Sequence, residues 1–180
     1  MHDDVLRLRR LVDDLGTLAE ADAALAGPKV AVEQCDLADI AAGAADALRP
    51  FAEANQQQIN LHLERAIIDG DSTRLTQIVL NLLTNAIKFT PSGGAIALDV
   101  RQSTTGRQAT LTVSDNGPGI PAQDRPHVFE RFYRADATRS VAGSGIGLAV
   151  VAQLVKAHNG TVEIIDTTTG ATVVVAFPIA

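Results

Sequence analysis

The feature that most constrains the fold is a helical pattern between residues 71 and 88. Apolar residues recur there every three or four positions, the period of a helix with one buried face. They are Leu75, Ile78, Val79, Leu82, Leu83 and Ala86. Asp71 or Ser72 can cap the start of this helix, and Pro91 with Gly93-Gly94 ends it. The sequence therefore predicts a helix that is buried along one side.

The other side of that helix is polar. Asn81 and Asn85 are four residues apart and Lys88 follows three further on, so the three side chains project together, away from the leucines. An Asn carbonyl is a hard oxygen ligand suited to Mg²⁺, and a Lys ammonium can offset phosphate charge. The alternative interpretation is an ordinary solvated helix face.

A carboxylate beside glycines ends a strand of alternating pattern. Asp115 follows the strand predicted at 108–114 and comes just before Gly117 and Gly119. Its carboxylate can accept a hydrogen bond from an exocyclic amine such as that of adenine, while the glycines let the backbone approach a flat ring. An Asp-Asn-Gly turn without a ligand is the alternative.

Three glycines precede another apolar helical segment. Gly143, Gly145 and Gly147 come just before a helix whose first amide groups lack internal partners and can bind phosphate oxygens. The spacing fits neither a Walker loop nor a dinucleotide fingerprint, because no Gly-Lys-Ser/Thr follows and position 148 is Leu. A flexible hinge is the alternative, and it is compatible with phosphate binding.

The segment 116–142 has little periodicity, many charges and three prolines, which is typical of a functional loop such as a lid. Within it, residues 129–134 alternate aromatic anchors with cations. Such a loop can bring Arg131 or Arg134 towards phosphates. The pattern does not choose between the two arginines, and a solvated charge cluster is the alternative for each.

Other elements are predicted from periodicity and from turn residues. An amphipathic helix near the start carries Val5, Leu8, Val12, Leu15 and Ala19 on one face, which favours an arm of a helical bundle over a helix packed on its own domain. A linker is expected near 24–29. Helices are also predicted at 37–54, bent or ended by Pro50, and at 145–158. The predicted strands are 30–32, 59–63, 67–68, 95–102, 108–114, 162–165 and 172–177.

Composition and charge exclude several classes of function. A net charge of -6 and 3% aromatic residues disfavour nucleic-acid binding. No apolar run is long enough to span a bilayer, so we expect no membrane contact by this chain itself and any anchor elsewhere in a longer protein. The start of the chain lacks an export signal, and Cys35 is a lone cysteine. These features favour the cytoplasm.

Taken in order, four motifs resemble those of the ATP-binding catalytic domain of bacterial sensor histidine kinases, within the wider family shared with gyrase, the Hsp90 chaperone and MutL. Residues 81–88 resemble the N box, 115–119 the G1 box, 129–132 the F box and 143–148 the G2 box. The resemblance covers about residues 30–180.

The resemblance implies an α+β fold. This is a two-layer α/β sandwich with a mixed, mainly antiparallel sheet, three main helices and a long ATP lid, preceded by a helical segment. It also implies two parts. Residues 1–25 would form the second helix of a dimerisation and phosphoacceptor hairpin, and residues 26–180 would form the catalytic domain.

The resemblance further implies a site for ATP and Mg²⁺. Asn85 would ligate Mg²⁺, and Asn81 and Lys88 would lie near the phosphates, where Arg131 and Arg134 are further catalytic candidates. Asp115 would bind the adenine amino group. The remaining residues expected to contact the nucleotide are Phe89, Gly117, Gly119, Ile120, Phe129, Gly143, Ser144, Gly145, Ile146, Gly147 and Leu148.

The implied reaction is transfer of the ATP γ-phosphoryl group to a histidine on a helix outside this chain. His2-Asp3 imitates the start of a phosphoacceptor motif, but the following residues do not continue it. The implied partners are that acceptor helix, a response regulator and a second copy bound through the helical segment. Two alternatives remain open: an anti-sigma-type serine kinase and a non-catalytic ATP-binding interaction module. Asn81 disfavours the former, because an amide cannot act as the base that a hydroxyl acceptor needs.

Overall fold

The computed structural model describes residues 32–103, 107–134 and 145–179. Several predictions lie outside these residues: the amphipathic helix within 1–25, the linker at 24–29, and Gly143 and Ser144 of the glycine-rich segment. None of the helices in the described part is both long and apolar enough to cross a membrane.

A five-stranded sheet forms one layer of the fold. Its strands are β2 (Gln58–Leu63), β4 (Ala95–Gln102), β5 (Gln108–Asp115), β6 (Thr161–Ile165) and β7 (Thr172–Pro178), in the spatial order β2-β4-β5-β7-β6. Only the β2–β4 pair in this sheet is parallel. A small antiparallel ladder joins β1 (Glu33–Asp36) to β3 (Ile67–Gly70).

The second layer contains the helices α1 (Leu37–Ala54), α2 (Ser72–Phe89) and α3 (Gly147–Ala157). α2 lies between the other two and packs against both. Alternate residues of the sheet strands are buried with the helices in one core, including Ile96, Leu98, Val100, Leu111, Val175 and Phe177. The expected two-layer sandwich with a mixed, mainly antiparallel sheet is confirmed.

The helix α2 begins and ends as its sequence predicts. The Asp71 carboxylate accepts a hydrogen bond from the Arg74 backbone amide at 3.1 Å and caps the first turn. Its apolar stripe is buried, and Leu75, Ile78 and Leu83 are fully inaccessible to solvent. Burial of each such side chain contributes about 1.5–3 kcal/mol. This packing fixes the rotation of α2 and leaves its polar side outward.

The side chain of Gln57 fastens the C-terminal end of α2. The last carbonyls of a helix have no partner within it. Gln57 is buried, and its amide nitrogen donates to the Ile87 carbonyl at 2.9 Å and to the Thr90 carbonyl at 2.5 Å. It therefore holds the stretch that carries Lys88 and Phe89.

The structure corrects the strand predicted before α1 and confirms the predicted bounds of the helix itself. Of the strand predicted at 30–32, the described part of the chain contains only Val32, which is exposed and precedes the strand β1, whose Cys35 pairs with Ile68. Pro50 does not end the helix, which continues to Ala54. Pro50 is exposed, and burial of Ala52 beyond it keeps the last turn on the core.

The helix α3 is shorter than its pattern predicts. It begins at Gly147 rather than Gly145, because Gly145 has a φ of 75° and cannot belong to a right-handed helix. At its other end, His158 is buried: its Nε2 accepts a hydrogen bond from the Asp71 amide at 3.1 Å, and its Nδ1 contacts the Leu154 carbonyl at 2.7 Å. His158 thus joins the end of α3 to the start of α2.

The turn between β6 and β7 touches the end of β5. Gly170 has a φ of 69°, and a β-carbon on it would collide with the backbone of Asp115. Gly119, with a φ of 77°, is almost as close, because its β-carbon would lie 2.8 Å from the Gly170 carbonyl oxygen. Three backbone segments therefore meet where Asp115 leaves the sheet.

This contact predicts that Gly170→Ala destabilises the protein more than Gly93→Ala does. Both glycines have positive φ, so each alanine costs about 1–2 kcal/mol of left-handed strain. Gly93 has open space around it, whereas the new methyl group at Gly170 would also need about 1–3 kcal/mol of repacking against Asp115. Urea denaturation of the two variants would measure this, and equal losses of unfolding free energy would contradict it.

Candidate functional site

A cavity of about 940 Å³ opens between α2, the end of β5 and the start of α3. Such a volume is typical of a site for a small ligand. Among its lining residues are eleven of the predicted site residues: Asn81, Asn85, Lys88, Phe89, Asp115, Gly119, Ile120, Arg134, Gly145, Gly147 and Leu148. The polar side of α2 and the two glycine-containing segments thus meet around one space.

The two amides of α2 face the start of α3. The Asn81 side-chain nitrogen lies 3.5 Å from the Gly147 carbonyl oxygen, a long contact. A β-carbon on Gly147 would lie 3.8 Å from the Asn85 side-chain nitrogen, so the two helices are in contact there. The amide oxygens of Asn81 and Asn85 can therefore face a ligand placed beside the first backbone amides of α3.

Two cations converge on the same wall. Burial lowers the pKa of the Lys88 ammonium group, and the positive charge of Arg134 lowers it further. Lys88 also lies over the ring of Phe89, with 4.6 Å between its Nζ and the ring centroid. The two positive charges repel each other in this partly buried place. A bound polyanion would attract both of them, so the arrangement favours a ligand with several negative charges.

Asp115 provides an acceptor at the wall of the cavity that the end of β5 forms. Its Oδ1 accepts hydrogen bonds from the backbone amides of Gly117 at 2.8 Å and Ala171 at 3.3 Å. Burial raises the pKa of the Asp115 carboxyl, although these two hydrogen bonds oppose the shift. No hydrogen bond to Oδ2 comes from the part of the chain that the structure describes. Because Asp115 lines the cavity, this second oxygen can accept from a ligand.

Glycines allow the backbone to close around this carboxylate. A β-carbon on Gly117 would lie 2.7 Å from the Phe89 carbonyl oxygen and 2.9 Å from Asp115 Oδ1. Gly145 is equally tight, since its β-carbon would approach the Tyr133 carbonyl oxygen to 2.8 Å. A larger residue at either position would force these neighbouring atoms to move.

Some predicted site residues lie elsewhere. Of those within the described ranges, Gly117, Phe129, Arg131 and Ile146 do not line the cavity. Gly117 supports Asp115 from behind the wall, and Ile146 is buried in the core below the start of α3. Phe129 is half-buried and Arg131 is exposed. Their roles at a ligand stay predictions, as do those of Gly143 and Ser144.

The cavity also has walls that sequence analysis missed. It is lined by Leu48 and Phe51 of α1, by Tyr133 of the loop, and by Ala171, the residue just before β7. Tyr133 belongs to the aromatic and cationic run and could have been selected from that signal. Ala171 could not, because its place beside Asp115 depends on how β7 pairs with β5.

A magnesium ion fits the donors of this site only together with a ligand. The described stretches contain no group of three or more His, Cys, Asp and Glu residues placed to bind a metal. Asn85 offers one hard amide oxygen at the cavity wall. Mg²⁺ commonly binds through one or two protein oxygens, several waters and substrate phosphates. The donor set therefore fits a magnesium–phosphate complex.

Comparison with known proteins identifies the family to which this chain belongs. The family model for histidine kinase-, DNA gyrase B-, and HSP90-like ATPases matches residues 70–180. This chain belongs to that ATPase family. The match includes α2, the end of β5 and the start of α3, which are the three elements that enclose the cavity.

Curated relatives within the ATPase family are sensor kinases. The signal transduction histidine-protein kinase/phosphatase MprB of Mycobacterium bovis (strain BCG / Pasteur 1173P2) is 38% identical over 167 residues, which cover 91% of this chain and 31% of that protein. MprB of Mycobacterium leprae (strain TN) is 40% identical over 167 residues, covering 91% of this chain and 30% of that protein. The chain spans about a third of the length of these relatives.

Solved structures of the family agree. A mycobacterial sensor histidine kinase MprB has a TM-score of 0.74 at 32% identity, covering 82% of this chain and 97% of that one. Full-length ShkA in complex with AMPPNP has a TM-score of 0.80 at 30% identity, covering 94% of this chain and 35% of that one. The expected resemblance to the ATP-binding catalytic domain of sensor histidine kinases is confirmed.

The raised pKa of Asp115 predicts a pH-dependent difference in stability between wild type and Asp115→Asn. The folded carboxyl holds its proton more tightly than the unfolded one. Its contribution to the free energy of unfolding is therefore largest below the unfolded pKa and is lost as pH rises through the folded pKa. We expect the wild-type advantage over Asp115→Asn in urea denaturation to be largest at a pH below the ordinary pKa of an aspartate and to decline as the pH rises above it. An advantage that grows with pH would contradict this assignment.

Proposed function

We propose that this domain binds ATP with Mg²⁺ in the cavity and presents the γ-phosphoryl group to a histidine on a helix of the larger kinase. The observation that carries the proposal is the arrangement of charged groups around the cavity. Lys88 and Arg134 bring two cations together at one wall, and Asp115 offers a carboxylate oxygen at another. ATP has the matching pair of features, a triphosphate and an exocyclic amine.

At the adenine end, we assign Asp115 to base recognition. An ionised carboxylate accepts a hydrogen bond from the adenine amino group, whereas it would repel the carbonyl oxygen that guanine carries there. Phe89 lines the cavity beside it and supplies an apolar surface for the ring. Gly119 and Ile120 complete this wall without any bulky polar group.

At the phosphate end, we assign Asn81, Asn85, Lys88 and Arg134 together with the first amides of α3. When bound through Asn85 and the phosphates, Mg²⁺ would neutralise part of the phosphate charge. The two cations and the helix start favour the remaining negative charge. Phosphoryl transfer requires mainly such positioning and charge stabilisation, so the site needs no covalent nucleophile of its own.

The acceptor imidazole would attack the γ-phosphorus through its neutral nitrogen. The bond from the γ-phosphorus to the β–γ bridging oxygen then breaks, ADP leaves with that electron pair, and the imidazole later releases its other N–H proton. No protein base is required at the start of this step. Asn81 fits that chemistry, because an amide cannot take a proton from water or from a serine hydroxyl near neutral pH.

Further parts of the proposal concern the larger protein. We assign residues 1–25 to the second helix of a dimerisation hairpin and residues 26–180 to the catalytic domain, because the apolar stripe that includes Val5, Leu8 and Val12 is typical of a bundle arm. A response regulator and a second copy of the chain are then the partners. ATP is a cytoplasmic metabolite, so we place this domain on the cytoplasmic side of a kinase whose anchor lies elsewhere.

Base recognition predicts that Asp115→Asn weakens ATP binding and reduces discrimination against GTP. Losing the charged acceptor should raise the Kd for ATP about tenfold to a hundredfold and leave GTP binding unchanged or improved. Titration calorimetry of both nucleotides would measure this, with Asp99→Asn as the control because Asp99 does not line the cavity in the described structure. An ATP preference that survives Asp115→Asn would contradict the assignment.

Transfer itself predicts acid-labile phosphate on a supplied histidine. The chain would be incubated with labelled ATP, Mg²⁺ and a separate protein carrying an acceptor-histidine helix. We expect label that is lost in acid and retained in base, no label on serine, and only slow hydrolysis by water, since Asn81 is not a base. Acid-stable label would instead favour a serine kinase. Tight ATP binding without transfer to any supplied histidine would favour a binding module.

A further inference from the structure

A hydrogen bond between two loop residues lies just outside the cavity wall. The Tyr133 hydroxyl donates to Asp124 Oδ1 at 2.6 Å, and Asp124 is 8% exposed. A carboxylate that is buried to this degree costs free energy unless it is paired. The bond joins the start of the loop after Gly119 to a later stretch of the same loop, where Tyr133 and Arg134 line the cavity.

The Asp124 end of this bond is held in place. Its backbone amide donates to the Pro121 carbonyl at 2.9 Å, and its own carbonyl accepts from the His127 amide at 2.9 Å. The neighbouring Arg125 donates through Nε to the Ile120 carbonyl at 3.0 Å and lies 2.8 Å from the Asp166 carboxylate near the β6–β7 turn. Asp124 is therefore a fixed acceptor tied to the cavity wall near Ile120.

The Tyr133 end of the hydrogen bond lies next to the backbone from which the Arg134 side chain extends. The Phe132 amide donates to the Gly145 carbonyl at 3.1 Å, and Gly145 lies against the Tyr133 carbonyl oxygen. The Arg134 side chain passes the same glycine, since its Cγ would lie 3.1 Å from a β-carbon there. Fixing the ring and backbone of Tyr133 therefore fixes the point from which the Arg134 side chain enters the cavity.

We propose that the Asp124–Tyr133 hydrogen bond is a positioning device that holds Arg134 against Lys88 for contact with the nucleotide phosphates. Asp124 itself does not line the cavity, and Tyr133 acts through Arg134 rather than on the phosphates. This inference rests on the proposed function, because Arg134 has a phosphate to contact only if the cavity binds ATP.

A double-mutant cycle on the 180-residue chain tests the inference, with Mg²⁺-ATP and adenosine as calorimetric probes. Tyr133→Phe keeps the ring and removes the hydroxyl, so it should raise the Kd for ATP about fivefold, the size expected for one hydrogen bond. Adenosine lacks the phosphates, and its Kd should change less than twofold. Because both changes act through Arg134, adding Tyr133→Phe to Arg134→Gln should produce no further loss of ATP affinity.

Conservative replacement at the other partner separates positioning from folding. Asp124→Asn retains a carbonyl acceptor and should bind ATP within about twofold of wild type, whereas Asp124→Leu should resemble Tyr133→Phe. If Tyr133→Phe does not fold, the two Asp124 variants carry the same comparison.

Three results would overturn the inference: additive losses in the cycle, equal losses for adenosine and ATP, or an Asp124→Leu variant that binds ATP normally. Failure of the unsubstituted chain to bind ATP would instead refute the proposed function on which the inference rests.

Discussion

The rotation of α2 against the sheet is the constraint on which the rest of the site depends. Its leucine and isoleucine side chains are buried between the sheet and the flanking helices, and a helix that turns about 100° per residue then has no freedom in where its remaining side chains point. Asn81, Asn85 and Lys88 face the cavity because the core holds the opposite side. Burial of the apolar side of α2 therefore fixes the direction of the polar side chains, and the polar residues need not make core contacts of their own.

That constraint also explains which parts of the structure the sequence predicts. The bounds of α2 and its N-cap at Asp71 follow from local periodicity and from turn residues, and so does the end of β5 at Asp115. The errors occur where tertiary contacts decide. The strand predicted to include Val32 begins at Glu33, because its pairing with β3 is set across the fold. The pattern predicted α1 as far as Ala54 but left open whether Pro50 ends it, and the burial of Ala52 in the next turn decides that it does not.

The residues of the site also differ in whether the sequence could predict them. Side chains that project from a single helix or strand end could be assigned from spacing, as Asn85 and Asp115 were. Contacts between distant segments could not, since nothing local to Gln57 indicates that it holds the end of α2, and nothing local to Ala171 indicates that it hydrogen-bonds Asp115. These supporting groups lie 30 and 56 residues away in sequence from the residues they fix. Only the folded chain brings them together.

The electrostatics of the cavity connect its stability to its function. Lys88 and Asp115 are both partly buried, and burial disfavours the charged form of each, as the directions of their pKa shifts indicate. Without a ligand, partial burial therefore makes the ionised form of each side chain less favourable than it is in water. One ligand that presents negative charge to Lys88 and Arg134 and a hydrogen-bond donor to Asp115 would offset this penalty at both side chains. A site whose ionised groups are least favourable when empty gains most from a ligand that carries both features, and this asymmetry favours an adenine nucleotide over inorganic phosphate or a free base.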